Sequence, residues 1–236
     1  MSNSWFRFKQ FTIHQDRCAM KVSTDACIQG AWTPMADTVK HVLDIGTGTG
    51  LLSLMLAQRA AGINIDAIEL DADAASQARE NVSASTWANR IDVMQGDILN
   101  MSIDKQYDLI ICNPPFFNNS LLGDDINRNN VRHTLSLTHD QLFEVIKKCL
   151  APDGYASILL PTTEHEGWER LVNEAGWVIH HRLHIIPKEG SSPNRVVSLC
   201  SRVANDLPVE EKLVIRDKEG YTEDFKRLNR PFYLML

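Results

Sequence analysis

The chain has 236 residues, of which 44% are hydrophobic and 23% are charged. This balance excludes a disordered or fibrous protein, and the length is sufficient for a full hydrophobic core. The formal net charge of −6 argues against indiscriminate binding to nucleic acid, because Lys and Arg supply most of that affinity.

Apolar runs alternate with helical patterns along the chain. Strands are predicted near residues 41–46, 63–69, 91–96, 107–113, 154–161, 178–186 and 195–203. Helices are predicted near residues 50–60, 72–84, 139–150 and 163–175. The alternation indicates an α/β fold with a mostly parallel, seven-stranded sheet and helices on both faces. Too few residues join the last two strands for a crossover helix, so the last strand should be antiparallel.

No repeat, linker or low-complexity tract divides the chain, so we expect one domain over residues 1–236. Residues 1–40 precede the first predicted strand as an extended-looking N-terminal arm. Residues 117–138 form a polar stretch that is too long for an idle connection, and we expect a loop on the substrate side. Residues 204–236 are expected to form a C-terminal hairpin and helix.

The first predicted strand runs into three alternating glycines, Gly46, Gly48 and Gly50, and then into a helical pattern. Glycines at this point allow the backbone to approach a ligand closely at a helix N-terminus. The spacing does not fit the dinucleotide pattern G-x-G-x-x-G. With Asp44 two residues before Gly46, it resembles the first motif of Rossmann-like S-adenosylmethionine-dependent methyltransferases. A plain strand-to-helix turn is the alternative.

Polar side chains close the next strands as well. Glu69 ends the second strand, where a carboxylate could accept hydrogen bonds from both hydroxyls of a ribose. Asp97 follows the third strand and could accept from an adenine amine, with Ile98 packed on the ring. Each could singly be a solvated strand end, but with Asp44 and Asn113 they close four successive strands. That edge is where open α/β sheets bind ligands.

The fourth strand leads directly into Asn113, Pro114, Pro115 and Phe116. The prolines stiffen the backbone and donate no N–H, which leaves carbonyl groups free for a ligand. The Asn113 side-chain oxygen and the Pro114 carbonyl could accept both hydrogens of a flat NH2 group. Phe116 could stack on a base, and Pro115 would line the substrate. Asn-Pro is also a common turn dipeptide, but we interpret this tetrapeptide as the catalytic site of an amine methyltransferase.

Basic residues outside the acidic half of the chain are candidate contacts with RNA. Residues 41–125 contain four basic and twelve acidic residues, whereas the segments on either side carry no net negative charge. Arg128, Arg132 and His133 follow the Asn-Pro-Pro-Phe tetrapeptide, and Arg195 is a further candidate; an ordinary solvated surface is the alternative for each. This balance favours a shaped, specific RNA over any polyanion.

The N-terminal arm carries a family resemblance. The runs FKQFTIHQDRCAMKVSTD (residues 8–25) and GAW (30–32), with NPPF (113–116) and FYL (232–234), resemble the bacterial valine-tRNA adenosine N6-methyltransferases. The resemblance spans nearly the whole chain, although Phe116 replaces a commoner Tyr.

This resemblance implies a Rossmann-like class I methyltransferase fold, S-adenosyl-L-methionine as cofactor and tRNA as partner. The methyl acceptor would be N6 of the adenosine 3′ of the anticodon, at position 37. In such enzymes the arm closes over the methionine end of the cofactor, which would place Lys21, Thr24 and Asp25 at the site. Ser23 and Ala26 stand where the family pattern favours Gly.

Other functions remain open on the residues alone. Enzymes that methylate a glutamine amide of a translation release factor share the Asn-Pro-Pro-aromatic motif, but they usually carry a helical domain ahead of the glycine loop. Methyltransferases for guanine N2 of ribosomal RNA or for adenine in DNA are further alternatives. A non-catalytic nucleoside-binding module would be a different class of protein.

The remaining signals concern the compartment and metals. Five cysteines without a C-x-x-C pair indicate free thiols in a reducing compartment. No segment predicts a signal peptide or a membrane span, so we expect a cytoplasmic protein without membrane contact. His180, His181 and His184 have no acid or Cys spaced to complete a site, so no metal is expected.

Overall fold

The computed structural model describes residues 3–114, 137–203 and 208–236 of the chain. Its strands are β1 (Trp5–Arg7), β2 (Thr12–His14), β3 (His41–Ile45), β4 (Asn64–Glu69), β5 (Ile91–Gln95), β6 (Tyr107–Cys112), β7 (Leu150–Pro161), β8 (Val178–Lys188), β9 (Arg195–Ser201) and β10 (Val209–Arg216). Its helices are α1 (Thr24–Trp32), α2 (Leu51–Arg59), α3 (Ala72–Ser83), α4 (His139–Cys149), α5 (Thr162–Glu174) and α6 (Glu223–Asn229), with a 3-10 turn at Ala88–Arg90.

One large sheet has the strand order β10-β8-β9-β7-β6-β3-β4-β5, while β1 and β2 form a separate antiparallel pair. Neighbouring strands of the large sheet are parallel, except that β9 is antiparallel to both β7 and β8. The α/β class and the mostly parallel sheet are confirmed. The predicted antiparallel strand is β9, so this prediction is confirmed as well.

Within the described residues the sheet has eight strands, not the seven expected. We predicted the segment that becomes β10 only as half of a short hairpin, but it pairs in parallel with β8 from Val209 to Arg216. The segment was missed because its first half, Val-Glu-Glu-Lys, is exposed, and only Leu213 and Ile215 turn into the core. The turn that follows is present, since Asp217 N donates to Gly220 O at 2.9 Å.

The N-terminal arm contains a helix where we expected extended chain. Ser23 caps α1, and its side chain accepts a hydrogen bond from Ala26 N at 3.1 Å. Six consecutive residues from Ala26 to Ala31 are buried. Because the middle of this helix is buried on several sides, it shows no amphipathic period that could be recognised in the sequence.

Helices cover both faces of the sheet, as predicted. Leu109 and Ile111 of β6 pack in the same cluster as α1, α2 and α3, whereas Ile110 and Cys112 pack with α4 and α5. This alternation follows from the two-residue period of a strand, which sends successive side chains to opposite faces. Within the described ranges, no helix combines the length and apolar character that crossing a membrane requires.

The two ends of the described chain pair with each other. Phe8 forms an antiparallel bridge with Tyr233, and Lys9 N donates to Phe232 O at 2.7 Å. The rings of Phe8 and Phe232 are buried in the same cluster as α2. The arm and the C-terminal segment therefore belong to the core of the sheet's first face.

Helices α1 and α2 pack closely at Gly30, where an added Cβ would lie 2.8 Å from Met55 Sδ and 3.2 Å from Met55 Cβ. Met55 is fully buried and has little room to move. Overpacking costs about 1–3 kcal/mol, and Ala gains about 1 kcal/mol over Gly in a helix. We predict that Gly30→Ala lowers the free energy of unfolding by about 1 kcal/mol, measured by urea denaturation.

Gly167→Ala is the matched control, because a Cβ at this position in α5 would meet nothing within 4 Å. It should raise the free energy of unfolding by up to about 1 kcal/mol. An increase in the free energy of unfolding in both variants would show that close packing at Gly30 is not limiting.

Candidate active site

The glycine loop between β3 and α2 is held in a conformation that suits glycine. Gly46, Gly48 and Gly50 have φ values of +70°, +57° and +82°, in the left-handed region. Gly46 N donates to Ile68 O at 2.8 Å, which attaches the loop to β4. An added Cβ at Gly46 would meet nothing within 4 Å, so the backbone here faces open space. The loop offers a backbone surface that a ligand can approach at the N-terminus of α2.

Asp44 supports this loop from inside. Its carboxylate is fully buried, and Oδ2 accepts hydrogen bonds from Thr47 Oγ1 and Ser53 Oγ, each at 2.7 Å. Oδ1 is also buried and has no hydrogen-bond partner in the part of the chain that the structure describes. Burial raises the pKa of the Asp44 carboxyl to about 6. The site thus contains a buried acceptor oxygen that no described residue uses and that suits a donor or a cation.

Glu69 lies beside the loop at the end of β4. Its Oε2 accepts from Gly48 N at 2.8 Å and its Oε1 accepts from Asp71 N at 3.0 Å. A carboxylate can accept about four hydrogen bonds, so both oxygens keep accepting capacity. Two backbone donors fix the orientation of this half-buried carboxylate.

Asp97 follows β5 at the same edge. The backbone of Gly96 is tied to β4, because Gly96 N donates to Glu69 O at 2.9 Å. Asp97 accepts from Leu99 N at 3.0 Å and from the side chain of Asn100 at 2.7 Å. Ile98 is half-buried against the second face of the core. The structure therefore brings the predicted residues at the ends of β3, β4 and β5 together.

Asn113 and Pro114 follow β6, which lies next to β3. Cys112 is in register with Ile45, so Asn113 starts at the level of the glycine loop. Asn113 Oδ1 is buried, and no described group donates to it. The predicted contacts Pro115, Phe116, Arg128, Arg132 and His133 lie outside the described residues, as does nearly all of the predicted 117–138 loop.

The arm contributes Asp25, which faces Arg195. Asp25 Oδ2 lies 3.5 Å from Arg195 Nε, and Arg195 is in register with Pro161 at the end of β7. Burial raises the pKa of the Asp25 carboxyl, and the Arg195 guanidinium opposes this shift. Thr24 begins α1 beside this pair, whereas Lys21 is exposed and donates to Asn3 O at 3.3 Å.

Two amides of α3 that we did not predict hold the arm against the glycine loop. Asn81 Nδ2 donates to His14 O and to Thr49 O, each at 2.9 Å, and its Oδ1 accepts from His14 N at 2.9 Å. Gln77 Nε2 donates to Asp16 Oδ1 at 2.7 Å. Both amide side chains are only 1% exposed. Their spacing of four residues puts them on one helix face, and this was the only signal in the sequence.

Two of the three histidines of β8 pair with carboxylates of strand β10. His184 Nε2 is 2.6 Å from Glu210 Oε2, and His181 pairs with Glu211. Among the described residues, no group of three or more His, Cys, Asp or Glu side chains could hold a metal ion.

Comparisons with known proteins identify the family and the fold. A family model described as "Methyltransferase small domain" matches residues 32–165. A tRNA1(Val) (adenine(37)-N6)-methyltransferase from Tolumonas auensis is 44% identical over 100% of this chain and 99% of that protein.

Solved structures share the fold at low identity. A predicted O-methyltransferase, protein Atu636 from Agrobacterium tumefaciens, aligns with a TM-score of 0.67 and 15% identity over 88% of this chain and 96% of that chain. The glycopeptide N-methyltransferase MtfA, complexed with (S)-adenosyl-L-methionine, aligns with a TM-score of 0.56 and 12% identity over 79% of this chain and 97% of that chain. With a full-length relative at 44% identity, the chain belongs to the tRNA1(Val) (adenine(37)-N6)-methyltransferase family.

Proposed function

We propose that this chain transfers a methyl group from S-adenosyl-L-methionine to N6 of adenosine 37 in a valine tRNA. The observation that carries the proposal is the buried Asn113 Oδ1, which lacks a donor among the described residues and is followed by Pro114. An acceptor held at this edge suits an amine with two hydrogens. The names of the relatives support adenine 37 of tRNA1(Val) as the acceptor.

The residues at the edge fit S-adenosyl-L-methionine as the cofactor. The free Asp44 Oδ1 is suited to a cationic or donor group, and the open side of Gly46 leaves room for a ligand against the backbone. Glu69 has capacity left to accept from two ribose hydroxyls. When bound, this cofactor supplies a methyl group on a positively charged sulfur. The shared fold of MtfA, whose structure contains it, supports the same choice.

The remaining cofactor contacts follow the order of the strands. We infer that Asp97 accepts from the adenine amine and that Ile98 packs on the adenine ring. The methionine end would lie toward Gly48, Gly50 and the arm residues, which are Lys21, Thr24 and Asp25. The position of Asp25 in the first turn of α1, beside Arg195, supports this part of the proposal.

The chemistry assigned to the protein is the positioning of the amine. The lone pair of an adenine amine is delocalised into the ring, which keeps the nitrogen flat and a poor nucleophile. Hydrogen bonds from both amine protons to Asn113 Oδ1 and the Pro114 carbonyl would favour a pyramidal nitrogen with a localised lone pair. Fixed acceptors supply this effect without reorganisation during the reaction.

The substrate base must leave the anticodon-loop stack at a cost of a few kcal/mol. Stacking on Phe116 would return about 1–3 kcal/mol of this cost. Pro115, Arg128, Arg132, His133 and Arg195 remain our proposed substrate contacts. Arg195 has a basis in the described residues, because it is the first residue of β9 and lies opposite Pro161 at the end of β7, on the edge to which Asn113 also belongs.

We also propose that residues 1–236 act as one domain, with residues 117–138 on the substrate side. A cytoplasmic location is proposed because the substrate named for the relatives is a tRNA. The pairing of Phe8 with Tyr233 across the core supports the single domain.

Labelled S-adenosyl-L-methionine, offered in parallel to total tRNA, ribosomal RNA, DNA and a release factor, tests the substrate. We expect label in tRNA alone, recovered as N6-methyladenosine at position 37 of a valine tRNA. Label in a glutamine amide, in guanine N2 or in DNA adenine would overturn the proposal in favour of the corresponding enzyme. An absence of label in every fraction would favour a non-catalytic module.

Asn113→Ala tests the amine acceptor. Removing one preorganised hydrogen-bond partner of a reacting group costs about 100- to 1000-fold in kcat, and we expect a loss at least this large. The affinity for S-adenosyl-L-methionine, measured by calorimetry, should stay at the wild-type value. Asn113→Asp retains an acceptor oxygen at the same distance from the backbone and should keep more activity than the Ala variant. Wild-type turnover by Asn113→Ala would rule out this role.

Asp44→Asn tests the acceptor beneath the glycine loop. In the free protein the pKa of Asp44 is about 6, so the carboxyl is protonated below that pH, and a cationic ligand would have to displace the proton. We expect the dissociation constant for the cofactor to fall by up to about tenfold per pH unit as the pH rises from 5 to 6, and then to level off.

The same raised pKa has a consequence for the free protein. Its contribution to stability is present below the unfolded pKa of 3.8 and is lost as the pH rises through about 6. Asp44→Asn should weaken both pH dependences, and Asn113→Ala should retain them; the part that remains in Asp44→Asn is expected from Asp25, whose pKa burial also raises. A pH slope in cofactor binding that persists at its full size in Asp44→Asn would assign the titration to another group.

A further inference from the structure

Gln29, on the arm helix α1, contacts the peptide that carries the Asn113 amide. We propose that Gln29 is a positioning residue for methyl transfer, which orients Asn113 by holding the carbonyl group of the preceding residue. This inference rests on the function proposed above. Gln29 itself would touch neither the cofactor nor the base.

The contact is direct and fully buried. Gln29 has 0% exposed surface, and its Nε2 donates to Cys112 O at 3.1 Å and to Ser157 O at 3.0 Å. Cys112 is the last residue of β6, and Ser157 lies on the neighbouring strand β7. One amide group therefore joins the arm helix to two central strands next to Asn113.

The orientation of this amide follows from its partners. Two carbonyl oxygens can accept only from the NH2 end, so Nε2 must face them. Gln29 Oε1 is left buried and has no partner within the described ranges. A buried acceptor without a partner costs stability, so an apolar side chain would avoid a cost at this end. The two hydrogen bonds from Nε2 are therefore the contribution that an apolar side chain at this position could not make.

The contact lies where β6 leaves the sheet. The pairing of β6 with β7 ends at Cys112 opposite Ile158, whereas β7 continues to Pro161. Beyond Cys112 the ladder no longer fixes the backbone. The Cys112 carbonyl belongs to the planar peptide that includes Asn113 N, so holding its oxygen limits rotation of that plane. The direction of the Asn113 side chain depends on this plane, and a misplacement of about 1 Å can cost about 100-fold in rate.

Helix α1 is anchored independently of the Gln29 side chain. Thr33 Oγ1 donates to Gln29 O at 2.8 Å and lies 2.8 Å from Ser157 Oγ. Arg59 Nη1 donates to Gly30 O at 2.8 Å and to Thr33 O at 2.7 Å. The helix should keep its place when the Gln29 side chain is changed, so the effect of a substitution can be assigned to the lost donors.

Gln29→Met tests the proposal, because Met has a similar length and no donor. We expect kcat to fall about tenfold or more while the dissociation constant for S-adenosyl-L-methionine changes less than about twofold. Thr33→Val is the matched control: it removes hydrogen bonds from the same buried network but leaves the bond from Gln29 to Cys112. It should lower the melting temperature to a similar degree with wild-type kcat. Equal losses of kcat in the two variants would mean that Gln29 has only a structural role.

A measurement without RNA keeps this test separate from the proposed function. The side-chain amide signals of Asn113 in a 15N correlation spectrum can be assigned by their loss in Asn113→Ala. They should shift or broaden in Gln29→Met and stay in place in Thr33→Val. Unchanged signals together with wild-type kcat would overturn the proposal.

Two further outcomes are distinguishable. If the wild-type protein methylates no tRNA, the proposed function fails, and the Asn113 signals still decide whether Gln29 holds the peptide. If Gln29→Met does not fold, Gln29→Asn replaces it, since Asn keeps the amide but is one methylene too short to reach Cys112 O. The expected and contradicting results are then the same.

Discussion

Parallel pairing of β3 with β4 on one side and β6 on the other determines where the functional side chains lie. Ile45 is in register with Ile68 and with Cys112, so the three strands end at one level. The glycine loop, the Glu69 carboxylate and the Asn113 amide all begin from that level. A shift of one residue in either ladder would turn the strand's side chains to the opposite face. The glycine loop and Glu69, proposed to bind the methyl donor, would then no longer lie beside Asn113, proposed to bind the methyl acceptor.

The sequence was sufficient where function follows a strand directly. Asp44, Glu69, Asp97 and Asn113 each stand beside an apolar run or a glycine, so a local pattern announces them. The side-chain amides of Gln77 and Asn81, which bind the arm, could not be predicted in this way. Neither could the amide of Gln29, which binds the Cys112 carbonyl. Gln29 contacts a strand 83 positions further along the chain, and nothing near it in the sequence differs from an ordinary polar residue. Contacts of this kind depend on tertiary packing alone.

The arm changes from an appendage into a structural part of the site. Its hydrogen bonds with α3, with the last residue of β6 and with Ser157 of β7 place one segment of chain against both the glycine loop and the peptide of Asn113. The pair formed by Asp25 and Arg195 also joins the two sides of the site, since we had assigned Asp25 to the cofactor and Arg195 to the substrate. A displacement of α1 would therefore change the proposed contacts of both the cofactor and the substrate. This coupling is a property of the arm's position and needs no movement of the sheet.

The pairing of Phe8 with Tyr233 has a consequence for what counts as the folding unit. The family model spans residues 32–165, but the cluster that covers its first face also contains Phe8, Phe11, Ile13 and Phe232. A fragment limited to residues 32–165 would lack these four side chains. The apolar surface of α2 that they cover would then be exposed to water and would favour aggregation. The two ends of the described chain pair with each other and cover this core, so removing either end would weaken the packing of the other.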